Sequence, residues 1–203
     1  MKITAIILAS GFSKRFKGNK LLALYEEKPL IMHVIDKVIR QDFYEVIIVS
    51  QYDEILSLVS SARSIKGIIK FIKNNNPQRG ISESIKLGVK VSQPCDAYMF
   101  FVGDAPLIGG ETIENMIGMY KTLEAKETAI LCPVYEGERG NPVIFAKTYK
   151  EELMGLSGDE GGKQLIARHK ERVIGYEIDH HKELFDIDTQ LDFNQLLQMN
   201  QID

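Results

Sequence analysis

The chain has 203 residues and a net charge of −3, with 44% hydrophobic and 26% charged residues. That length supports one domain with a substantial core, and the charge balance gives the whole molecule no strong pull toward nucleic acid or anionic membranes. No apolar run reaches the ~18 residues a membrane helix needs, and the first such run lacks signal-peptide flanks. The two cysteines, Cys95 and Cys132, show no metal or redox spacing and are expected as buried thiols of a cytoplasmic protein.

Residues 3–9, ITAIILA, predict a buried strand. At its end LASGFSKRFKGNKLL (8–22) crowds Lys14, Arg15, Lys17 and Lys20 together. Residues 30–40 carry apolar positions at helical spacing, EVIIVS (45–50) is a second strand, and a helix is expected near 53–63. IIKFI (68–72) is a third strand, followed by the polar segment NNNPQRGISESI (74–85) and a helix over 82–92. AYMFFVGD (97–104) is the most apolar strand, a helix follows around 111–125, and AILCPVY (129–135) is a fifth strand. Uncharged runs rich in Ile, Val and Phe, separated by helices, predict parallel strands covered on both faces. The expected architecture is an α/β, doubly wound three-layer α/β/α sandwich with a mostly parallel sheet, binding ligands at the carboxyl ends of its strands. Beyond residue 136 the pattern loosens. EGERGNPVIF reads as a turn and short strand, GLSGDEGGKQLIARH as a Gly-rich loop entering a helix, and RVIGYEI as another short strand. DIDTQLDFNQLLQ starts a final helix, capped by Thr189 or Asp188. With no repeat or linker, residues 1–203 are expected as one domain.

The first loop, Gly11-x-Ser13-x-Arg15 with Lys20, is neither the dinucleotide GxGxxG nor a Walker loop. Gly11 permits a positive φ and close approach of backbone N–H groups to an anion. Arg15 can grip a phosphate with two parallel hydrogen bonds, and Lys20 can add a point charge. A triphosphate carries roughly four negative charges, which such a cluster could largely offset. A solvated basic loop is the competing reading. Asp104, just past the most apolar strand, needs water, a partner or a metal, and Mg²⁺ takes one or two carboxylates together with substrate phosphates. Asp186 and Asp188 fall on one face of an extended segment and form a second acidic candidate, with helix capping competing at Asp188. Asn76, Gly80, Ser82 and Ser84 could read a base, or simply open a helix. His180 and His181 are adjacent and cannot both line one pocket from a strand.

Taken in order, these segments resemble the MobA-like nucleotidyltransferase family. Its pattern Leu-Ala-x-Gly-x-Ser-x-Arg-x-x-x-x-Lys is matched by Leu8, Ala9, Gly11, Ser13, Arg15 and Lys20. NPQRGISESI is similar to the family segment that contacts the base, and GDAPLI to the metal-binding Gly-Asp-x-Pro-Leu. GERGNPVIF, GDEGGKQLI and DIDTQLDF resemble later segments of the molybdenum cofactor cytidylyltransferase (MocA-type) branch. Ser10, where the guanylyltransferase branch has glycine, fits the smaller cytosine. One departure is Lys17, where the family commonly places glycine.

The resemblance implies a Rossmann-like fold of the nucleotide-diphospho-sugar transferase type, with residues 1–110 binding nucleotide and 111–203 the acceptor. It implies transfer of CMP from CTP to the phosphate of molybdopterin, giving molybdopterin cytosine dinucleotide and pyrophosphate. Arg15, Lys20 and Asp104 would carry catalysis, and Asp104 with Asp188 would hold Mg²⁺. Leu8, Ala9, Ser10, Gly11, Ser13, Asn76, Gly80 and Ser84 would join Arg15 and Lys20 around the nucleotide. Arg139, Asn141, Gly158 and Gly161 would shape the acceptor side. A molybdenum hydroxylase apoenzyme is the client such an enzyme implies. Two alternatives stand beside this: a related transferase using GTP or a sugar or alcohol phosphate, and a non-catalytic protein that delivers the cofactor.

Overall fold

The computed structural model describes residues 1–60 and 68–199. Five strands fall where the uncharged runs predict them: β1 (Ile3–Ala9), then, after a short hairpin β2 (Leu24–Tyr25) and β3 (Lys28–Pro29), β4 (Glu45–Ser50), β5 (Ile68–Lys73), β6 (Ala97–Val102) and β7 (Ile130–Tyr135). They are interleaved with helices α1 (Leu30–Val38), α2 (Asp53–Ser60), α3 (Ile81–Val91) and α4 (Gly110–Thr122). Positions 61–63 of the helix expected near 53–63 lie outside the described residues. The remainder comprises β8 (Glu138–Arg139), β9 (Val143–Ala146), α5 (Lys150–Gly155), α6 (Gly162–Arg168), β10 (Val173–Glu177) and α7 (Gln190–Met199). No helix among the described residues is long and apolar enough to cross a membrane.

The main sheet runs β10-β7-β9-β6-β1-β4-β5, with β8 hung on β7. β6, β1, β4 and β5 are mutually parallel, as is the pair β10 and β7, while β9 runs antiparallel between β6 and β7. The VIFA segment therefore does more than close a turn. It is a reversed central strand, and both its neighbours bury it.

Alternation along β1 explains why the strand carries no charge. Ile3, Ala5, Ile7 and Ala9 face one core with Ile31, Val34 and Ile35 of α1, Ile55 of α2 and Ile113 and Met116 of α4. Ile6 faces the other with Ile85 and Val89 of α3, Leu153 of α5 and Leu165 of α6. Both faces are covered, so every position must be apolar or hydrogen-bonded. The chain winds outward from β1 to β4 and β5, then returns to place β6 on the other side of β1. That reversal opens a crevice at the carboxyl ends of β1 and β6, the usual ligand position in such sheets.

A third, smaller cluster closes the crevice from the C-terminal side. Tyr25 and Leu30 pack with Ile187, Phe193 and Leu196, and the Phe16 ring meets Phe193 edge-on at 5.7 Å. Thr189, and not Asp188, caps α7. Its hydroxyl accepts from the Asp192 amide at 3.2 Å, and the Asp192 carboxylate accepts from the amides of Thr189 (2.6 Å) and Asp188 (3.0 Å). This reciprocal capping box leaves the Asp188 side chain free to face the crevice.

Candidate active site

A cleft of about 380 Å³ lies over the ends of β1 and β6, lined by the first loop, the start of α3, Asp104 and Asp188. Three features bring Asp104 to the loop. The Gly103 amide donates to the Leu8 carbonyl at 3.0 Å, which extends the parallel β1–β6 ladder one residue past Val102. A Cβ at Gly103 would stand 2.5 Å from Ile31 Cδ1 and 3.2 Å from that carbonyl, so glycine lets the chain pass here without moving Ile31. The buried Ile187 then donates its amide to the Asp104 carbonyl at 2.9 Å, and this bond seats Asp188 beside Asp104.

The charges meet on Lys20. Its Nζ is 2.6 Å from Asp104 Oδ2 and 3.2 Å from Asp188 Oδ1, and its side chain is only 9% exposed. Arg15 Nη2 holds the other Asp188 oxygen at 2.7 Å. Burial alone would push the Lys20 ammonium down, but the two carboxylates outweigh it and hold it above its ordinary value. Two cations thus answer two carboxylates. A single cationic centre already touches both carboxylates, so Asp104 and Asp188 fit a shared small cation. No group of three or more His, Cys, Asp or Glu among the described residues could hold a metal unaided. The arrangement therefore suits an ion that keeps oxygen ligands from its substrate, as Mg²⁺ does.

The first loop is tied down from β4. The Ser10 hydroxyl donates to the Val49 carbonyl at 3.2 Å, so it faces the sheet, while Gln51 Nε2 donates to the Ser10 carbonyl at 2.8 Å. Tyr52 donates its hydroxyl to the Gly11 carbonyl at 2.7 Å. Burial, then the Glu54 charge, raises the Tyr52 phenol above its usual range, and nearby Lys20 pulls the other way. The left-handed backbone expected at Gly11 falls instead at Ser13 (φ 52°), whose Oγ accepts from the Lys20 amide at 3.3 Å. Gly11 leaves open space, since an added Cβ would meet nothing within 4 Å. Tyr52→Phe removes one of these ties without touching the cleft floor. It is expected to raise KM for the nucleotide about three- to tenfold, with kcat changed by less than about twofold, in steady-state pyrophosphate release.

Of the other sequence-predicted residues, Leu8, Gly80 and Ser84 line the cleft. Ala9 points into the opposite core, and its carbonyl accepts from Ser50 Oγ at 3.0 Å. Lys14 lines the cleft, whereas Lys17 is exposed outside it. Asn76 and Ser82 are not among the residues that line it. The organising asparagine is the buried Asn74, whose Nδ2 donates to Ser84 Oγ at 3.1 Å and whose Oδ1 accepts from the Asn76 amide at 2.9 Å. Phe12, Pro77, Ile81 and Asp159 also line the cleft and were not singled out in the sequence.

The acceptor-side candidates separate. Arg139 is exposed on β8 and Asn141 is half-buried before β9, and neither lines this cleft. Gly158 and Gly161 sit against the start of α3, on the wall with Gly80 and Ser84. A second cleft, across the Arg15–Asp188 pair from the first, is lined by Glu138, His181, Phe185, Asp186 and Asp192. His181 Nε2 is 3.2 Å from Glu138 Oε2, and His181 opens a 3-10 turn, not a strand. The surrounding protein, then the Asp104 and Asp188 charges, holds the Asp186 carboxyl above the ordinary carboxylate range.

Known proteins share this framework. The chain is 31% identical over 156 residues to the bifunctional protein GlmU of Aquifex aeolicus, covering 73% of this chain and 32% of that protein. It is 32% identical over 117 residues to 3-deoxy-manno-octulosonate cytidylyltransferase of Pelobacter propionicus, covering 58% and 44%. It therefore spans less than half the length of the curated relatives it matches. Rv0371c of Mycobacterium tuberculosis superimposes with a TM-score of 0.80 at 23% identity over 98% of both chains, and that protein also has a manganese complex. CMP:2-keto-3-deoxy-manno-octonic acid synthetase, complexed with CTP, superimposes at 0.72 with 15% identity over 100% of both chains. At such identities the structures show the fold, a nucleotide-diphospho-sugar transferase-like α/β architecture with a mostly parallel mixed sheet. The family model for the MobA-like NTP transferase domain matches residues 5–173, from β1 to the start of β10, and the chain belongs to that family.

Proposed function

We propose that the chain is a nucleotidyltransferase that moves CMP from CTP to the phosphate of molybdopterin, releasing pyrophosphate. The observation that carries this is the Lys20–Asp104–Asp188 contact set in the cleft beneath the first loop. An oxygen of the acceptor phosphate attacks the α-phosphorus in line. It is already anionic, so no general base is needed, and the protein's part is positioning and charge stabilisation. Arg15, Lys20 and the backbone around Gly11 hold the triphosphate and stabilise charge on the departing pyrophosphate. Asp104 and Asp188 would hold Mg²⁺, which would supply Lewis-acid stabilisation of the phosphate oxygens. The wall of Gly80, Ile81 and Ser84 receives the base. The Asn-Pro-x-x-Gly-x-x-x-Ser run from Asn76 to Ser84 and the serine at position 10 support cytosine over guanine.

A second reading takes a sugar or alcohol phosphate as acceptor. The carboxylates of the second cleft favour it, because Glu138, Asp186 and Asp192 beside Asp188 suit a hydroxyl-rich group better than a strongly anionic one. Both readings are tested by pyrophosphate release with each nucleoside triphosphate, Mg²⁺ and molybdopterin, then with sugar phosphates. The expected result is turnover with CTP and molybdopterin well above GTP. Preference for GTP overturns the cytidylyl assignment, and turnover only with sugar phosphates moves the acceptor to the second reading. No turnover of any triphosphate with any acceptor leaves a cofactor-delivery protein.

A further inference from the structure

The loop between α5 and α6 lies on the entrance to α3. The Gly158 carbonyl accepts from the Ser82 amide at 3.2 Å. A Cβ on Gly80 would lie 2.2 Å from that carbonyl oxygen and 2.6 Å from Asp159 Oδ1. Asp159 thus stands directly over Gly80, in the cleft wall that also presents Pro77, Ile81 and Ser84. It does not cap α3, because Gly158 takes the Ser82 amide and the Gly80 carbonyl takes the Glu83 amide. The neighbouring polar side chains are engaged: Ser84 Oγ accepts from Asn74 and Ser10 Oγ donates to Val49. Among the described residues Asp159 has no hydrogen-bond or ion-pair partner. The wall therefore offers one free carboxylate.

We propose that Asp159 selects the base, accepting a hydrogen bond from the exocyclic amine of cytosine and rejecting uracil. This rests on the proposed binding of a nucleoside triphosphate in this cleft. An ionised carboxylate only accepts, and it pairs with the cytosine N4 amine. Uracil places a carbonyl oxygen there, so acceptor would face acceptor and neither group would be satisfied. Selection against uracil is separate from the contrast between cytosine and guanine, which concerns the size of the base.

The test is calorimetric binding of CTP and of UTP, with Mg²⁺, to the full chain and to Asp159→Asn and Asp159→Ala. Wild type is expected to bind CTP roughly tenfold or more above UTP. In Asp159→Asn the amide can turn to donate or accept, so the two affinities should fall within about threefold of each other. Asp159→Ala should lose CTP affinity and gain UTP affinity, since the acceptor that faces the uracil oxygen is gone. Asp159 is exposed, so both variants should melt like wild type. A CTP preference that both variants keep, or an equal loss for both nucleotides, overturns the role of Asp159 and leaves the nucleotide reading intact. Wild-type preference for UTP also overturns it, and binding of neither nucleotide by wild type overturns the cytidylyl reading and this one together.

Discussion

Lys20→Met is expected to lower the pyrophosphate-release rate about a thousandfold or more, and Asp104→Asn to do the same. Lys20 is the side chain through which the loop and both carboxylates communicate, at 2.6 Å from one and 3.2 Å from the other. Removing it deletes a buried charge next to the site proposed for the triphosphate and leaves two carboxylates to repel such an anion. The fold should survive. Asp188 keeps Arg15, and Asp104 at 20% exposure still reaches water, so the stability loss should be about 1 kcal/mol. Lys20→Arg should not rescue, because a planar fork replaces a compact ammonium seated between two oxygens. Rates measured at saturating CTP, beside thermal melts, separate the two effects. Lys20→Met turnover above about a tenth of wild type would remove Lys20 from the chemistry.

Lys70→Met is expected to cost the largest amount of stability, about 2–3 kcal/mol in urea unfolding. Glu45 begins β4 with its side chain fully buried. Its Oε1 accepts from the Gln93 amide at 2.6 Å and from Thr4 Oγ1 at 3.2 Å. Its Oε2 lacks a well-aligned hydrogen bond and is answered by Lys70 Nζ at 2.8 Å. Without the lysine a buried charge stays unpaired, and the cost sits at the lower end of such cases because Lys70 is itself 27% exposed. Adding Glu45→Gln should restore most of the loss, since the amide oxygen still accepts from Gln93 and no net charge remains. A loss below about 1 kcal/mol, or no recovery in the double variant, would show that the pair is not what holds this end of β4.

Strand positions were legible in the sequence because a doubly covered strand is mostly apolar, and β1 and β4 span those runs, with Glu45 their one buried charge. The place of VIFA was not. Four apolar residues predict a strand but say nothing of its partners, and the pairing of β9 with both β6 and β7 is decided by tertiary contacts. The cation cluster was legible as a feature of the first strand end, and Lys14, Arg15 and Lys20 line the cleft there. Its answer by Asp188, 173 residues from Arg15, depends on the Ile187–Asp104 backbone bond and on the Phe16–Phe193 contact, which no local pattern announces. Within NNNPQ, three adjacent asparagines gave no means to tell that Asn74 is the buried one. The Gly-rich loop was recognised but its side was not, since glycines show that backbones come close without showing to what.

β5 lies at the end of the main sheet, and among the described residues no strand pairs with its outer side. Such an edge offers a row of unpaired backbone groups on which a second chain can build. IIKFIK would suit that growth, being β-branched and aromatic except at Lys70 and Lys73. Both lysines turn to partners within the fold, Lys70 to Glu45 and Lys73 to Asp53. An incoming strand would have to stack against charges already committed. The lysine that balances a buried glutamate thus also stands, with Lys73, on the strand that ends the sheet.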